Sequence, residues 1–320
     1  MEHKDRARSG GVSIRHHFVS QGLQRNFATA KFERLTIFDP STGDVIDPDR
    51  RIRDNFAIDE FNTFYDADGE PDRQLEAEFA RIERTALNSA RHVSLRDQTP
   101  ARRASAAEVF AIHLIRSPAH RRFLDRVHAR SRAELVGDAA DHAEANLATM
   151  APPDRNLTRS EIEVIAQEAY SHPMETNVAH ISAMIRHYNW TVELLNGMHL
   201  QVVETDLKLP GFVLGDIPVV HYQPTDGRFG FDSDLAIGDA GSIIGAITRR
   251  KAVPFTTRPE PSVRTVDRAG VYRINALLIR GASHEVACHP DDLDEAQTVV
   301  DNLAVLLRVG PSPSSYVPID

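Results

Sequence analysis

The chain has 320 residues, of which 41% are hydrophobic and 26% charged. This composition is typical of a folded globular protein and excludes disordered and fibrous classes. The formal net charge of -9 means that the molecule as a whole repels phosphate backbones and anionic lipids. The single cysteine, Cys288, excludes an intramolecular disulfide and a thiolate-rich metal site, and its apolar surroundings predict a buried, unreactive thiol.

The sequence shows no segment suited to a membrane. Residues Met1–Arg15 lack the apolar run of a secretory signal, and no long uncharged stretch follows. We therefore expect a cytoplasmic protein without membrane association. We also expect a disordered N-terminus over residues 1–12, a single domain over 13–309 and a flexible tail over 310–320.

The first predicted elements are a hairpin and two helices. Turn residues between two short apolar runs predict a hairpin over Glu33–Ile46. Apolar residues at three- and four-residue spacing predict an amphipathic helix over Asp72–His92. A second helix begins at Pro100 and should break near Ser117 and Pro118, because proline removes a backbone donor.

The middle of the chain contains a weak point between helices. Residues Gly137–Asn156 are rich in alanine and acids and include two consecutive prolines, which indicates an internal hinge. Thr158 and Glu161 have the spacing of a capping box at the start of a helix. A further helix is predicted from about Glu175 to Tyr188.

After Asn189 the sequence becomes rich in β-branched residues separated by turn residues. Strands are predicted at Trp190–Leu195, Leu200–Thr205, Gly211–Gly215, Val219–Tyr222 and Gly241–Thr248. A helix over Val271–Ile279, a strand over Glu285–Cys288 and a closing helix over Asp291–Val309 follow. Helices followed by strands predict an α+β fold, in which a helical N-terminal and central part packs with a mainly antiparallel sheet from about residue 189 onward.

Histidines are the first candidates for chemistry. His16 and His17 are adjacent, so in an extended segment they face opposite ways and at most one of them serves a site. The alternative is a hydrogen-bonded structural histidine beside a surface one. Neither His113 with His120 nor His180 with His187 has the spacing of a metal pair, so the metal is unknown and a divalent ion stays open.

Two groups of acidic residues are also candidates. Glu193 on one predicted strand, with Asp206 and Lys208 at the end of the next, has the pattern of a metal-dependent nuclease, although a solvated sheet face gives the same pattern. Asp216 follows a strand and precedes a proline, so it either faces a cleft or caps the turn.

Basic residues cluster on predicted helices, which suggests a nucleic-acid surface or, in the simpler interpretation that we prefer, a solvated helix face. The residues concerned are Arg102, Arg103, Arg121, Arg122, Arg126, Arg130 and Arg132.

The run His16-His-Phe-Val-Ser-Gln-Gly-Leu-Gln-Arg-Asn-Phe27 resembles the opening motif of the family known as domain of unknown function 4238. Further landmarks of that family follow in order, and the resemblance covers about His16 to Ala287. They are Ile82-Glu83, Arg116-Ser117-Pro118, Gly215-Asp216-Ile217-Pro218-Val219 and Asn275. Ser20 and Gly22 replace a proline and an aromatic residue of the family pattern, and Ile217 replaces an asparagine.

The resemblance implies a shared cleft, with His17 and Asp216 as catalytic residues. Glu33 and Glu83 are further acids. The residues that it assigns to substrate binding are His16, Gln21, Arg25, Asn26, Arg116 and Asn275. Such a set combines a base, an anion clamp and a positioned carboxylate.

The expected function is hydrolysis at a phosphate or another anionic centre, as in a nuclease of bacterial conflict or defence. The alternative is a binding or regulatory module without catalysis, in which the same polar residues form a structural network. Whether the substrate is a small molecule or a nucleic acid stays open, as does the oligomeric state.

Overall fold

The computed structural model of the chain describes residues 15–59, 61, 64–65, 71–72, 74–94, 97–150, 158–161, 163–164, 176–259 and 265–308. The predicted N-terminal segment 1–12 and tail 310–320 lie outside these ranges. The helices, in chain order, are α1 Gln21–Gln24, α2 Gln74–Ala90, α3 Pro100–Ile115, α4 Pro118–Met150, α5 Thr176–Gly197, α6 Arg268–Gly281, α7 Leu293–Asp301 and α8 Leu303–Arg308.

The strands are β1 Arg15–His17, β2 Arg34–Phe38, β3 Val45–Arg51, β4 Ala57–Asp59, β5 Phe64–Tyr65, β6 Pro71–Asp72, β7 His199–Leu200, β8 Val203–Thr205, β9 Leu214–Gly215, β10 Val219–Tyr222, β11 Ser242–Thr248, β12 Lys251–Thr256, β13 Thr265–Val266 and β14 Val286–Cys288. Short 3-10 turns occur at Ile52–Asp54, Phe231–Ser233, Ile237–Asp239 and Pro290–Asp292.

Strands β1 and β4 form one two-stranded sheet and β5 and β6 another, and the remaining described strands belong to two larger sheets. The larger has the order β10-β11-β12-β8-β13, with β7 also on β12, and only the β13–β8 pair in it is parallel. The smaller has the order β3-β2-β14-β9 and is antiparallel throughout. The predicted hairpin over Glu33–Ile46 is thus confirmed as β2 and β3, and the fold is α+β with mainly antiparallel pairing.

Helix α3 lies at the centre of the molecule. It contacts α2, α5 and strand β10, and most of its residues after Ala106 are buried, as the crowding of apolar residues predicts. Phe110 packs edge-on against Phe255 of β12, with ring centroids 5.3 Å apart. A Cβ at Gly245 of β11 would lie 3.0 Å from the Phe110 ring, so this glycine lets the helix approach the sheet. The helices and the larger sheet therefore share one core.

The predicted helix boundaries in the first half are mostly confirmed. Helix α2 matches the amphipathic prediction, and α3 ends before Ser117 so that Pro118 starts α4. The capping box is present, because Glu161 accepts from the Thr158 amide at 2.7 Å and the Glu161 amide donates to the Thr158 hydroxyl at 3.3 Å. Helix α4 continues to Met150, and the hinge stays a prediction because residues 151–157 lie outside the described ones.

The strand predicted at Trp190–Leu195 is wrong. These residues continue helix α5 to Gly197. Thr191 and Leu195, four residues apart, are both fully buried on one helix face, and Met184 is buried seven residues before Thr191. Helical spacing of buried residues therefore outweighs the β propensity of the local composition.

The closing helix is also shorter than predicted. Asp291 lies in a 3-10 turn, and the helix is divided at Asn302 into α7 and α8. In contrast, α6 and β14 lie where the sequence predicts them. Among the described helices, none is both long enough and apolar enough to cross a bilayer.

Candidate functional site

A cleft of about 420 Å³ lies between the N-terminal segment and helix α2. Several of the residues implicated by the sequence line it, together with others that the sequence analysis did not single out. The lining residues are Arg15, His17, Ser20, Gln21, Gly22, Arg25, Ala80, Glu83, Arg84, Leu87, Asn88, Arg91 and Arg116. We call this the arginine cleft.

Strand β1 decides which of the two adjacent histidines reaches the cleft. It pairs antiparallel with β4, so successive side chains point to opposite faces. His17 lines the cleft, whereas His16 is buried at 4% exposure on the other face. The opposite orientation that an extended segment predicts is confirmed. His16, which was assigned to substrate binding, does not line this cleft.

A buried histidine contacts the N-cap residue of the short helix α1 and fixes its position. Ser20 caps the helix by accepting from the Leu23 amide at 3.3 Å. His113 of α3 donates from Nδ1 to the Val109 carbonyl at 2.7 Å, so its Nε2 accepts from the Ser20 hydroxyl at 3.2 Å. Burial lowers the pKa of His113 to about 4. His113 therefore stays neutral and fixes the start of α1 without taking part in proton transfer at neutral pH.

The ring of His17 has two distinct nitrogens. Nε2 lies 3.1 Å from the carbonyl oxygen of Arg53, and a carbonyl only accepts, so this nitrogen carries the proton. Nδ1 then retains its lone pair. Burial lowers the pKa of His17 below 6.5, and the positive charges of Arg15 and Arg116 lower it further, while the Arg53 carbonyl opposes them. His17 is therefore neutral at pH 7 and able to accept a proton.

A chain of polar contacts runs along the rim of the cleft. The side-chain nitrogen of Gln21 lies 3.3 Å from His17 Nε2, and both atoms are donors in this tautomer, so the two side chains are neighbours without a hydrogen bond. The Gln21 oxygen accepts from Arg25 at 3.3 Å. Arg25 also donates to Glu33 at 2.8 Å. Gln21 and Arg25 therefore line the cleft with His17, as the resemblance implies, whereas Glu33 is the ion-pair partner of Arg25 and does not line the cleft.

Arg116 and Glu83 form a buried ion pair in the cleft. Arg116 is 4% exposed, and it donates to Glu83 Oε1 at 2.6 Å and to the His17 carbonyl at 2.7 Å. Its guanidinium also lies over the ring of Phe79 at 5.0 Å from the centroid. This arrangement fixes α2, α3 and β1 relative to one another.

Arginine dominates the charge of the cleft. Five arginines and one glutamate line it, in a chain whose formal net charge is -9. Such a local reversal of charge favours an anionic ligand. Arginine guanidinium groups are suited to bidentate binding of carboxylates and phosphates.

Asp216 does not lie in the arginine cleft, which corrects the implied pairing of His17 with Asp216. Its carboxylate accepts from the backbone amides of Ser283 at 2.7 Å and His284 at 2.9 Å. Burial raises the pKa of Asp216, and these amide hydrogen bonds oppose the increase. Asp216 borders a separate, smaller cavity with Arg122. The turn-capping alternative therefore describes it.

The two asparagines assigned to substrate binding are structural, which is a second correction. Asn275 of α6 accepts from the Val213 amide at 3.1 Å and donates to the Gly211 carbonyl at 3.0 Å. Asn26 donates to the Ile247 carbonyl at 2.8 Å. Both side chains satisfy backbone groups of the sheet region, and neither lines the arginine cleft.

The nuclease-like set is wrong as well. Glu193 lies on helix α5 and not on a strand. Asp206 accepts from the Lys208 amide at 2.9 Å, which is a local turn contact. Within the described residues, no group of three or more histidine, cysteine or acidic side chains has the geometry to hold a metal ion.

The remaining predictions concern the histidine pairs, the thiol and the basic cluster. His120 contacts His187, at 3.1 Å, and not the partners considered from spacing. Cys288 is fully buried, and burial raises its pKa, in agreement with an unreactive thiol. Arg126 and Arg130 both pair with Asp234 at the surface, which supports the simpler interpretation of the basic cluster.

Sequence reasoning missed Arg15, Arg84, Asn88 and Arg91 of the cleft. The last three follow one another at four- and three-residue spacing along and just after α2. This spacing marks one face of a helix, so the sequence contained the signal. This polar spacing was overlooked because the apolar residues of the same helix dominate the sequence pattern.

A larger cavity of about 540 Å³ lies between the major sheet and helices α6 and α8. Its described lining is mainly apolar and hydroxyl-bearing, with Arg258 and Arg273 as the charged groups. Histidine and acidic side chains are absent from that described lining. The arginine cleft is therefore the better candidate for acid–base chemistry.

Comparison with known families gives one match. The family described as "Protein of unknown function (DUF4238)" matches residues 15–292, a range that includes every residue of the arginine cleft. No curated protein and no solved structure matches the chain significantly.

Proposed function

The chain belongs to the DUF4238 family, and we propose that it binds a phosphate-bearing molecule in the arginine cleft and hydrolyses it, with His17 as the general base. The observation that carries this proposal is a neutral, proton-accepting histidine in a cleft lined by five arginines. An anion bound there lies beside a base whose pKa is lowered by burial and by two of these arginines, Arg15 and Arg116. A nuclease of bacterial conflict or defence is one form of this proposal.

The proposed step is attack of water on phosphorus. His17 Nδ1 takes a proton from the water as its oxygen bonds to phosphorus. The bond from phosphorus to the leaving oxygen breaks, and that oxygen takes a proton from solvent. Arginine guanidinium groups stabilise the charge on the remaining phosphoryl oxygens. Arg116 helps to position the base, because it donates to the backbone carbonyl of His17 itself.

A second candidate function is anion binding without turnover. It is favoured by the pairing of Glu83 with Arg116 at 2.6 Å, which leaves the one acid of the lining neutralised. In this form the protein is a binding or regulatory module. The cleft then binds either a phosphate compound that acts as a signal or a phosphate group on a partner molecule.

One experiment separates the two functions. Melting temperature is measured with phosphate and with chloride at equal ionic strength, and hydrolysis of bis(4-nitrophenyl) phosphate is followed with and without divalent metals. We expect phosphate to raise the melting temperature, since a ligand that binds only the native state stabilises it. We expect His17→Ala to lower turnover by about a hundredfold or more and to leave the phosphate effect largely in place.

His92→Ala is the matched control, because His92 is exposed and outside the cleft lining. Phosphate stabilisation without turnover in the wild type would favour the binding module. If phosphate has no effect and His17→Ala behaves like His92→Ala, the proposal is wrong in both forms.

A further inference from the structure

One face of helix α2 presents a row of hydrogen-bond donors to the arginine cleft. Arg84, Asn88 and Arg91 all line it, and their spacing places them on one helix face. With a rise of about 1.5 Å per residue, the row extends for roughly 10 Å. We call these three residues the α2 row.

The excess positive charge of the cleft resides on this row. Arg15 pairs with Asp54, Arg25 with Glu33, and Arg116 with Glu83. Among the described residues, neither Arg84 nor Arg91 has an acidic partner. The part of the cleft around His17 is therefore close to electrically balanced, and the α2 row carries two uncompensated charges.

Arg91 also has an unsatisfied donor. Its Nε is buried and has no hydrogen-bond partner within the described part of the chain. One terminal nitrogen of the same group donates to the Gly22 carbonyl at 3.4 Å. A buried donor without a partner is costly, and in native proteins it commonly marks the place of a bound ion or ligand. The guanidinium of Arg91 is thus held in place with donor capacity left over.

We infer that the α2 row binds a second phosphate group of the substrate, so that the preferred substrate carries two phosphate groups. One lies beside His17 and Arg116, where the chemistry occurs, and the other is anchored by Arg84, Asn88 and Arg91. The inference rests on the proposed function. Binding energy from a remote, unreactive group then serves to position the reacting one.

A nucleoside diphosphate and a dinucleotide with a 5′-phosphate both carry two phosphate groups, and they serve as the probes. We would measure by calorimetry, at constant ionic strength, the dissociation constants of both and of a nucleoside monophosphate. We expect the wild type to bind at least one of the two-phosphate compounds about ten- to a hundredfold more tightly than the monophosphate, since charge-assisted hydrogen bonds are lost in the latter. The compound that shows the difference identifies the source of the second phosphate.

The variants Arg84→Ala and Arg91→Gln should remove this difference and leave the monophosphate affinity within about twofold. Arg84 is exposed, so its replacement tests the inference even if Arg91→Gln fails to fold. Arg81→Ala is the matched control, because Arg81 is exposed on the same helix and outside the cleft lining. It removes the same charge and should keep the difference.

Equal affinities for one and two phosphates in the wild type would overturn the inference while the proposed function stands. So would a difference that persists in Arg84→Ala and in Arg91→Gln. If no phosphate compound binds at all, the inference and the proposed function both fail.

Discussion

The ring of His17 is held at one nitrogen by the Arg53 carbonyl and lies near the guanidinium groups of Arg15 and Arg116. Both burial and the neighbouring arginines favour the neutral ring, so its pKa lies below 6.5. The His17 ring is therefore already deprotonated at neutral pH. It becomes protonated, and so unable to accept a proton, only at a pH below the ordinary histidine pKa.

Turnover should accordingly depend on pH in one direction. Plotted against pH, kcat/KM for a phosphodiester should be highest toward pH 8 and fall as the pH is lowered, with a midpoint below the ordinary histidine value of about 6.5. Circular dichroism at each pH separates loss of activity from loss of structure. A midpoint above 6.5 would contradict the assignment of His17 as the base.

At the scale of single residues, the sequence predicted the orientation of neighbouring side chains better than long-range contacts. The alternation of His16 and His17 followed from the period of an extended strand, and the structure has it. Asp216 could not be assigned in the same way. Its partners are the amides of Ser283 and His284, far along the chain, and no local pattern shows where those amides point.

Some close contacts between helices and strands depend on glycine residues. The end of helix α6 lies so close to β10 that a Cβ at Gly281 would approach the Val220 side chain to 2.2 Å. The spacing between this helix and the larger sheet therefore depends on glycine.

The substitution Gly281→Ala should destabilise the protein by about 1–3 kcal/mol, as overpacking does, although alanine is the better helix former. Urea denaturation measures the change. In a Val220→Ala background the same substitution should cost less, because the two positions are in contact. An equal cost in both backgrounds would show that the close approach is not the cause.

Among the elements, long periodic helices were predicted best. The α2 prediction holds, whereas Trp190–Leu195 was assigned to a strand because tryptophan, threonine and valine favour strands locally. Thr191 and Leu195 are buried at four-residue spacing, so the helical pattern of buried residues determines the structure here and local strand propensity does not. The cleft itself needs α1 and α2 side by side, and their pairing is not encoded in either segment alone.

At the scale of the whole molecule, one hydrophobic core extends from Phe18 near the N-terminus to Val299 in α7. Phe110 joins the helices to the larger sheet through Phe255. The helical and sheet regions should therefore unfold together, which also tests the predicted single domain over residues 13–309.

Replacing Phe110 by alanine should lower the free energy of unfolding by about 3–5 kcal/mol, through lost burial and a cavity. Tryptophan fluorescence, which reports on Trp190 alone, and circular dichroism should shift by the same amount in urea. Val127→Ala, at an exposed position of α4, is the control and should change little. Two separated transitions in the variant would show that the two regions unfold independently.

The hydrogen bonds of Asn26 have a consequence for how the protein is made. Its side chain donates to the Ile247 carbonyl, and its own carbonyl accepts from the Arg249 amide at 3.0 Å. The ribosome synthesises residues 15–26 first and residues 247–249 much later. His17, Gln21 and Arg25, just before Asn26 in the chain, therefore lack this anchor until more than two hundred further residues have been added. A nascent chain that stops before β11 carries the whole motif and not the finished cleft, so the cleft is completed only late in translation.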